Sequence, residues 1–262
     1  MTVAAGECSR SRRLPIVLNR WNHVRGFFDW KKPIQFADLR RITLLAIKYK
    51  VEHIVKEAVA RLEYLFPTSF QPDRLEEDSF IGAREGYPVI CPDYDDAIGA
   101  VTLARAIDNE NPPAFIVVAL YHCNRFEPRD LFRPEVYDDE SVSLSHDDLL
   151  ACLTAASKLS EASSRVKGPV VDAFEKPRCN SKICRYGMEQ LICDWTRCRM
   201  FASRDPLSSC TWAFERHAKN HPDKKLCKTC KFDLIKAIDE RRRELFKGLG
   251  KIFNIPTWPA QA

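Results

Sequence analysis

Glycine is scarce, with nine residues in 262. So few are a poor fit to a β-barrel, a sandwich or a nucleotide-binding loop, which need glycine for tight turns and close backbone approaches. No GxxxxGK[ST], GxGxxG, GxSxG or HExxH pattern occurs. That removes the commonest signatures of NTPases, dinucleotide enzymes, α/β-hydrolases and zinc proteases. No uncharged apolar run reaches the roughly 18 residues that a membrane helix requires. Residues 1–20 carry Arg10, Arg12, Arg13 and Arg20 and lack the apolar core of a secretory leader. We therefore expect an intracellular protein, in cytoplasm or nucleus and not secreted, with no membrane association.

What is present points to a packed core. Apolar residues make up 45% of the chain, with 15 Phe and 5 Trp, which argues against wholesale disorder. Net charge is only +5. The densest basic stretch is Lys224–Arg243, with Lys224, Lys225, Lys228, Lys231 and Arg241-Arg242-Arg243. A nucleic-acid footprint clusters such charges on one face, whereas most charge runs are solvated helix faces, and we expect the latter. The eleven cysteines lie in what we take to be a reducing compartment. There, clustered cysteines suggest a metal and scattered ones suggest core packing.

The periodicity predicts helices almost throughout, hence an all-α fold. Residues 1–13 are polar and unpatterned. Leu14, Leu18, Trp21 and Phe28 suit a short helix and turn. Leu39, Ile42, Leu45, Ala46 and Tyr49 recur at helical spacing, and Ile54, Val55, Ala58, Leu62 and Leu65 repeat it in a shifted phase. A break near Lys48–Lys50 accounts for the shift, and Pro67 ends the second helix. Residues 67–92 read as a connection with a short strand at Pro88–Cys91. Asp93 reads as the N-cap of a helix over 94–108, and Pro112-Pro113 opens one over about 112–126, apolar nearly all round. Residues 127–144 read as an acidic loop carrying Asp138, Asp139 and Glu140. Ser145 and Asp148 make a capping signal for the next helix, which Gly168-Pro169 is expected to close. Further helices are expected over about 185–202, from Pro206 through Phe214, and over about 228–248, with a C-terminal anchor of Ile252, Phe253, Ile255 and Trp258 after them.

The strongest chemical feature is two short cysteine pairs, Cys179-x4-Cys184 and Cys227-x2-Cys230. Four thiolates satisfy tetrahedral zinc without redox chemistry, and a closed set of four protein ligands is structural rather than catalytic. The candidate metal ligands are thus Cys179, Cys184, Cys227 and Cys230, holding one structural Zn2+. Cys193, Cys198, Cys210, His217 and His221 are rival ligands; His217-x3-His221 has true ligand spacing on a helix. A redox role for Cys227-x-x-Cys230 would need a βαβ setting that the pattern does not offer. Cys91, Cys123 and Cys152 sit among apolar residues and read as core. His122 and Cys123 diverge by about 100° on a helix and cannot work as a nucleophile–base pair. No catalytic or cofactor-binding residue is assigned.

Phe36-x-x-Leu39-x-x-Ile42-x-x-Leu45-Ala46-x-Lys48-Tyr49-x-Val51-x-x-Ile54, with Leu62-x-x-Leu65-Phe66-Pro67, resembles the last helices of the BTB/POZ domain of basidiomycete fungi. Asp95 to Arg105, Pro112-Pro113-Ala114-Phe115 to Cys123, both cysteine pairs and Leu249-x-x-Ile252-Phe253 are similar to the segments C-terminal to that domain in the same proteins. The resemblance covers roughly residues 14–256. Residues 1–13, unpatterned and polar, are expected to be a flexible N-terminus, and the resemblance implies the C-terminal part of a BTB-like domain (14–67), a BACK-like helical region (68–168) and a Cys-rich helical region (169–262). It implies a non-enzymatic protein–protein interaction role. The family's homodimerisation and cullin-type ligase docking rely largely on an N-terminal half with no counterpart in the matched residues, so neither is expected. The alternative is a zinc-containing nucleic-acid-binding protein that uses Lys224–Arg243.

Overall fold

A computed structural model describes residues 32–71, 89–90, 96–137, 140–175 and 179–258. In chain order the elements are β1 (Ile34–Gln35), α1 (Phe36–Lys48), α2 (Glu52–Leu65), β2 (Val89–Ile90), α3 (Asp96–Ile107), α4 (Ile116–Cys123) and α5 (Pro128–Leu131). Next come β3 (Glu135–Tyr137), β4 (Glu140–Val142), α6 (His146–Glu175), α7 (Lys182–Arg197), a 3-10 turn (Met200–Ala202), α8 (Thr211–Asn220), a second 3-10 turn (Pro222–Lys224), α9 (Lys228–Lys247) and α10 (Leu249–Phe253). The fold is therefore mostly helical. No described helix is long and apolar enough to cross a membrane.

The phase shift after Tyr49 has a local cause. Lys50 takes the left-handed conformation (φ 57°), the Val51 N–H donates to the Ala46 carbonyl at 2.8 Å, and the Lys50 N–H donates to the Ile47 carbonyl at 3.1 Å. This is a Schellman stop, with lysine where glycine is usual. The strand expected at Pro88–Cys91 is present as β2, in a two-residue parallel pairing with β1 (Ile34↔Val89, Gln35↔Ile90).

Three expectations are corrected. The acidic segment 127–144 is not a plain loop: Pro128 opens α5, and β3 and β4 form an antiparallel hairpin. Its Tyr137 hydroxyl donates to Asp96 at 2.9 Å, and its Glu140 accepts from buried Arg40 at 2.8 Å. α6 does not end at Gly168-Pro169 but runs through Pro169 to Glu175, because Val166 and Val170 on either side are buried in a common core. Packing outweighs the amide lost at proline, and the boundary drawn at 168/169 falls inside this helix. The segment 206–214 begins as a turn, and its helix starts only at Thr211. The expected features at residues 14–30, Cys91, Asp93, Asp138 and Asp139 lie outside the described residues.

Two apolar cores result among the described residues. The larger gathers α1 to α4 with Cys152, Ala155 and Leu159 of α6, and adds Phe246, α10 and Trp258 from the C-terminal end. All eight residues of α4 are buried, as its all-round apolar pattern predicts. The smaller core joins Val166 and Val170 of α6 to Met188, Leu191 and Trp195 of α7, Phe214 of α8, and Leu234 and Ile238 of α9. α6 and α9 lie against each other and pass through both.

The C-terminal anchor depends on a close approach. A Cβ on Gly250 would stand 2.4 Å from the Trp258 Cβ and 2.9 Å from the Ile255 carbonyl oxygen. Gly250→Ala is expected to cost about 1–3 kcal/mol through forced displacement of that segment, read by urea unfolding. Tyr121 ties α4 to the turn before α8: its hydroxyl donates to Asp205 and accepts from the Leu207 N–H at 2.9 Å. Burial, then the Asp205 charge, raises its pKa well above the usual value. Tyr121→Phe should cost about 1–3 kcal/mol by leaving the Leu207 N–H unanswered. Because the folded pKa is raised, that stabilisation is complete below the unfolded tyrosine pKa of about 10 and declines above it. The gap between wild type and variant should therefore narrow in unfolding series carried past that pH.

Candidate metal centre

The four predicted cysteines converge. The Sγ atoms of Cys179, Cys184, Cys227 and Cys230 all lie within 4.8 Å of one another, and all four are free thiols. A zinc–sulfur bond of about 2.3 Å implies sulfur–sulfur edges of about 3.8 Å in a tetrahedron, so small side-chain movements would close such a shell. Local structure explains the convergence. Cys227 is the N-cap of α9, and its sulfur accepts from the Cys230 N–H at 3.4 Å. Cys184 lies in the first turn of α7, and its sulfur accepts from the Cys227 N–H at 3.2 Å. Both N–H donors belong to the start of α9, whose positive dipole end favours thiolates.

The thiols are not equivalent. Donation from Cys230 brings exposed Cys227 down to about 7, whereas burial pushes Cys184 and Cys230 up. A ligating Cys227 thus needs little help to ionise, and the others would be deprotonated by the metal. The donor set suits zinc: four sulfurs and no open position, the pattern of a structural site. Beside it runs a groove of about 380 Å³ bordered by Cys179, Cys184 and Cys230, with Met188 and Leu234 as apolar lining.

The rival ligands separate into distinct groups. Cys210 is buried in the smaller core, and Cys193 and Cys198 are exposed. Cys123 and Cys152 are buried in the larger core, as expected of packing residues. His217 and His221 join a residue that the sequence pattern did not single out, Asp194 of α7. Asp194 Oδ2 lies 3.2 Å from His217 Nδ1 and 3.1 Å from His221 Nε2. Burial works against the Asp194 charge, yet hydrogen bonds from His217 and Gln190 and the two nearby imidazoles hold its pKa below the usual value. Only the His-x3-His spacing hinted at this cluster, because Asp194 lies 23 residues from His217.

The basic segment is less uniform than its sequence suggests. Arg242 is buried and donates through Nε to the Leu207 carbonyl at 2.9 Å, and Arg241 faces Glu244 at 3.7 Å. Arg243 lies over the Phe70 ring at 5.8 Å.

No family model, curated protein or solved structure matches the chain.

Purified protein loaded with Co2+ should show thiolate-to-metal charge-transfer absorption, lost in a Cys179→Ser/Cys227→Ser double variant. At zinc about a thousandfold above its dissociation constant the wild type should gain about 4 kcal/mol of stability over chelated protein. The double variant should lose that gain in paired urea unfolding curves.

Proposed function

We propose that this chain is a non-enzymatic protein–protein interaction module of BTB/BACK kind whose C-terminal layer is clipped by one structural Zn2+. The residues that carry the resemblance support the first half of this reading. Phe36, Leu39, Ala46, Ile54, Leu62 and Leu65 occupy the buried faces of α1 and α2, and Ile116–Cys123 form a helix with every residue buried. Buried ionisable groups are engaged in holding helices. Arg105 of α3 pairs with Asp148 of α6 at 2.7 Å, and Arg242 of α9 donates to the Leu207 carbonyl. Such pairs favour one arrangement of the helices over others, a scaffold's requirement.

The observation that carries the proposal is at the cysteine-bearing turns. Those turns also display Ile183, Tyr186 and Phe232, which are 58%, 60% and 67% exposed. A zinc clip would hold three apolar side chains rigidly in solvent, which suits contact with a protein partner. Bridging two helix starts 43 residues apart in sequence needs little more loop-closure entropy than a shorter span would, since that term grows only logarithmically.

The test is affinity capture with the full chain beside an Ile183→Ser/Tyr186→Ser/Phe232→Ser variant. The wild type should capture a reproducible set of proteins that the variant loses, with helix and zinc content unchanged. An identical set from both would overturn the proposed surface. The nucleic-acid alternative requires binding to DNA or RNA that weakens steeply with salt, and a steep salt slope would replace our reading with that one.

A further inference from the structure

We propose a second divalent-cation site, separate from the four cysteines, formed by Asp194, His217 and His221. The ligand class is a first-row transition ion of zinc type, which imidazole and carboxylate donors suit.

Three observations converge on it. The two histidines are four residues apart at the end of α8, a spacing that places both rings on one side. Their donor atoms, Nδ1 of His217 and Nε2 of His221, meet the same carboxylate oxygen of a neighbouring helix at 3.2 and 3.1 Å. For metal–ligand bonds of about 2.1 Å, adjacent donors stand about 3.0 Å apart in an octahedron and about 3.4 Å in a tetrahedron. The two oxygen–nitrogen separations fall between these, and all three donor atoms lie within 4.8 Å of one another, close enough for side-chain movement to seat an ion. The third observation is the setting. Asp194 and His217 border a cavity of about 110 Å³ that Trp195 also lines. The indole N–H of Trp195 is buried with no hydrogen-bond partner among the described residues. Three protein ligands leave at least one coordination position, and a cavity of that size holds the water that would complete it. A free water in the same cavity is an acceptor of the kind that the indole lacks.

Protons can replace the ion at the same distances, with both imidazoles donating N–H to Asp194. The two states differ in what Asp194→Asn does. Asparagine keeps a carbonyl oxygen for the imidazoles but removes the anionic ligand. His221→Gln is a second, more exposed variant that spares the core.

The full-length chain, its Asp194→Asn form and its His221→Gln form are loaded with zinc, and the ion count is read by mass spectrometry. Parallel Co2+ titrations separate thiolate-bound from nitrogen- and oxygen-bound metal by the presence or absence of charge-transfer absorption. The wild type should bind one ion without charge transfer, in addition to any thiolate-bound ion. Each variant should weaken that ion at least tenfold while leaving the thiolate signal and the helix content unchanged. If the wild type binds only thiolate-held metal and both variants match it, the site does not exist. If the charge-transfer band is missing but an Asp194-dependent ion remains, this site stands and the four-cysteine reading fails.

Discussion

A stretch of irregular backbone lies at the junction of the two cores, and each of its buried peptide groups needs a partner there. The segment from Arg199 to Cys210 links α7 to α8 without regular helix beyond one 3-10 turn. α6 answers the carbonyls of that turn: Ser163 Oγ and Lys167 Nζ donate to Met200 at 2.9 and 2.6 Å, Ser164 to Phe201 at 2.7 Å and Ser160 to Ala202 at 3.1 Å. The Leu207 peptide is held from both ends, its N–H by Tyr121 of α4 and its carbonyl by Arg242 of α9. Three helices are thereby fixed relative to one connection. The connection in turn sets where α7 stops and α8 starts, and so places Asp194 opposite His217.

The two cores are unequal, and the candidate metal ligands lie beside the smaller one. The larger core encloses α4 completely and draws on both ends of the described chain. The smaller core has fewer large side chains, centred on Trp195, Phe214 and Leu191. Small cores often need a staple, because buried apolar area falls short of chain entropy. Both cysteine pairs and the Asp194 cluster lie at the edges of this smaller core. Its buried Lys167 runs against stability on its own: desolvation lowers its pKa, and the Ser163 and Met200 oxygens compensate by accepting from its ammonium.

Much of this was legible in the sequence, for reasons that differ by feature. The helices from Phe36 to Leu65 and from Lys228 to Lys247 follow from 3.6-residue periodicity, and the Ser145 cap from its Asp148 partner, which the structure shows bonded at 2.8 Å. The four cysteines were legible because two short spacings each bring ligands together within a turn or loop. Asp194 was not, since an isolated acid on an amphipathic helix carries no signal until its neighbours across the fold are known. The β3–β4 hairpin was missed because three-residue strands hold too little alternation to stand out from a polar loop. The passage of α6 through Gly168-Pro169 was misread because local propensity favours a stop there, and the burial of Val170 that overrides it is a tertiary fact.

That passage has a mechanical consequence. Pro169 has no N–H to give to the carbonyl of Arg165 four residues earlier, and Gly168 beside it has open space where a side chain would sit. A 30-residue helix, about 45 Å long, is thus two stiff rods with a compliant joint, and the joint falls inside the smaller core, between Val166 and Val170. α9 has no glycine or proline along its 20 residues and runs unbroken from the smaller core, at Leu234 and Ile238, to the larger, at Phe246. Bending at Gly168-Pro169 would therefore shift the last turns of α6, which carry Val170, against α7 and α9 within the smaller core.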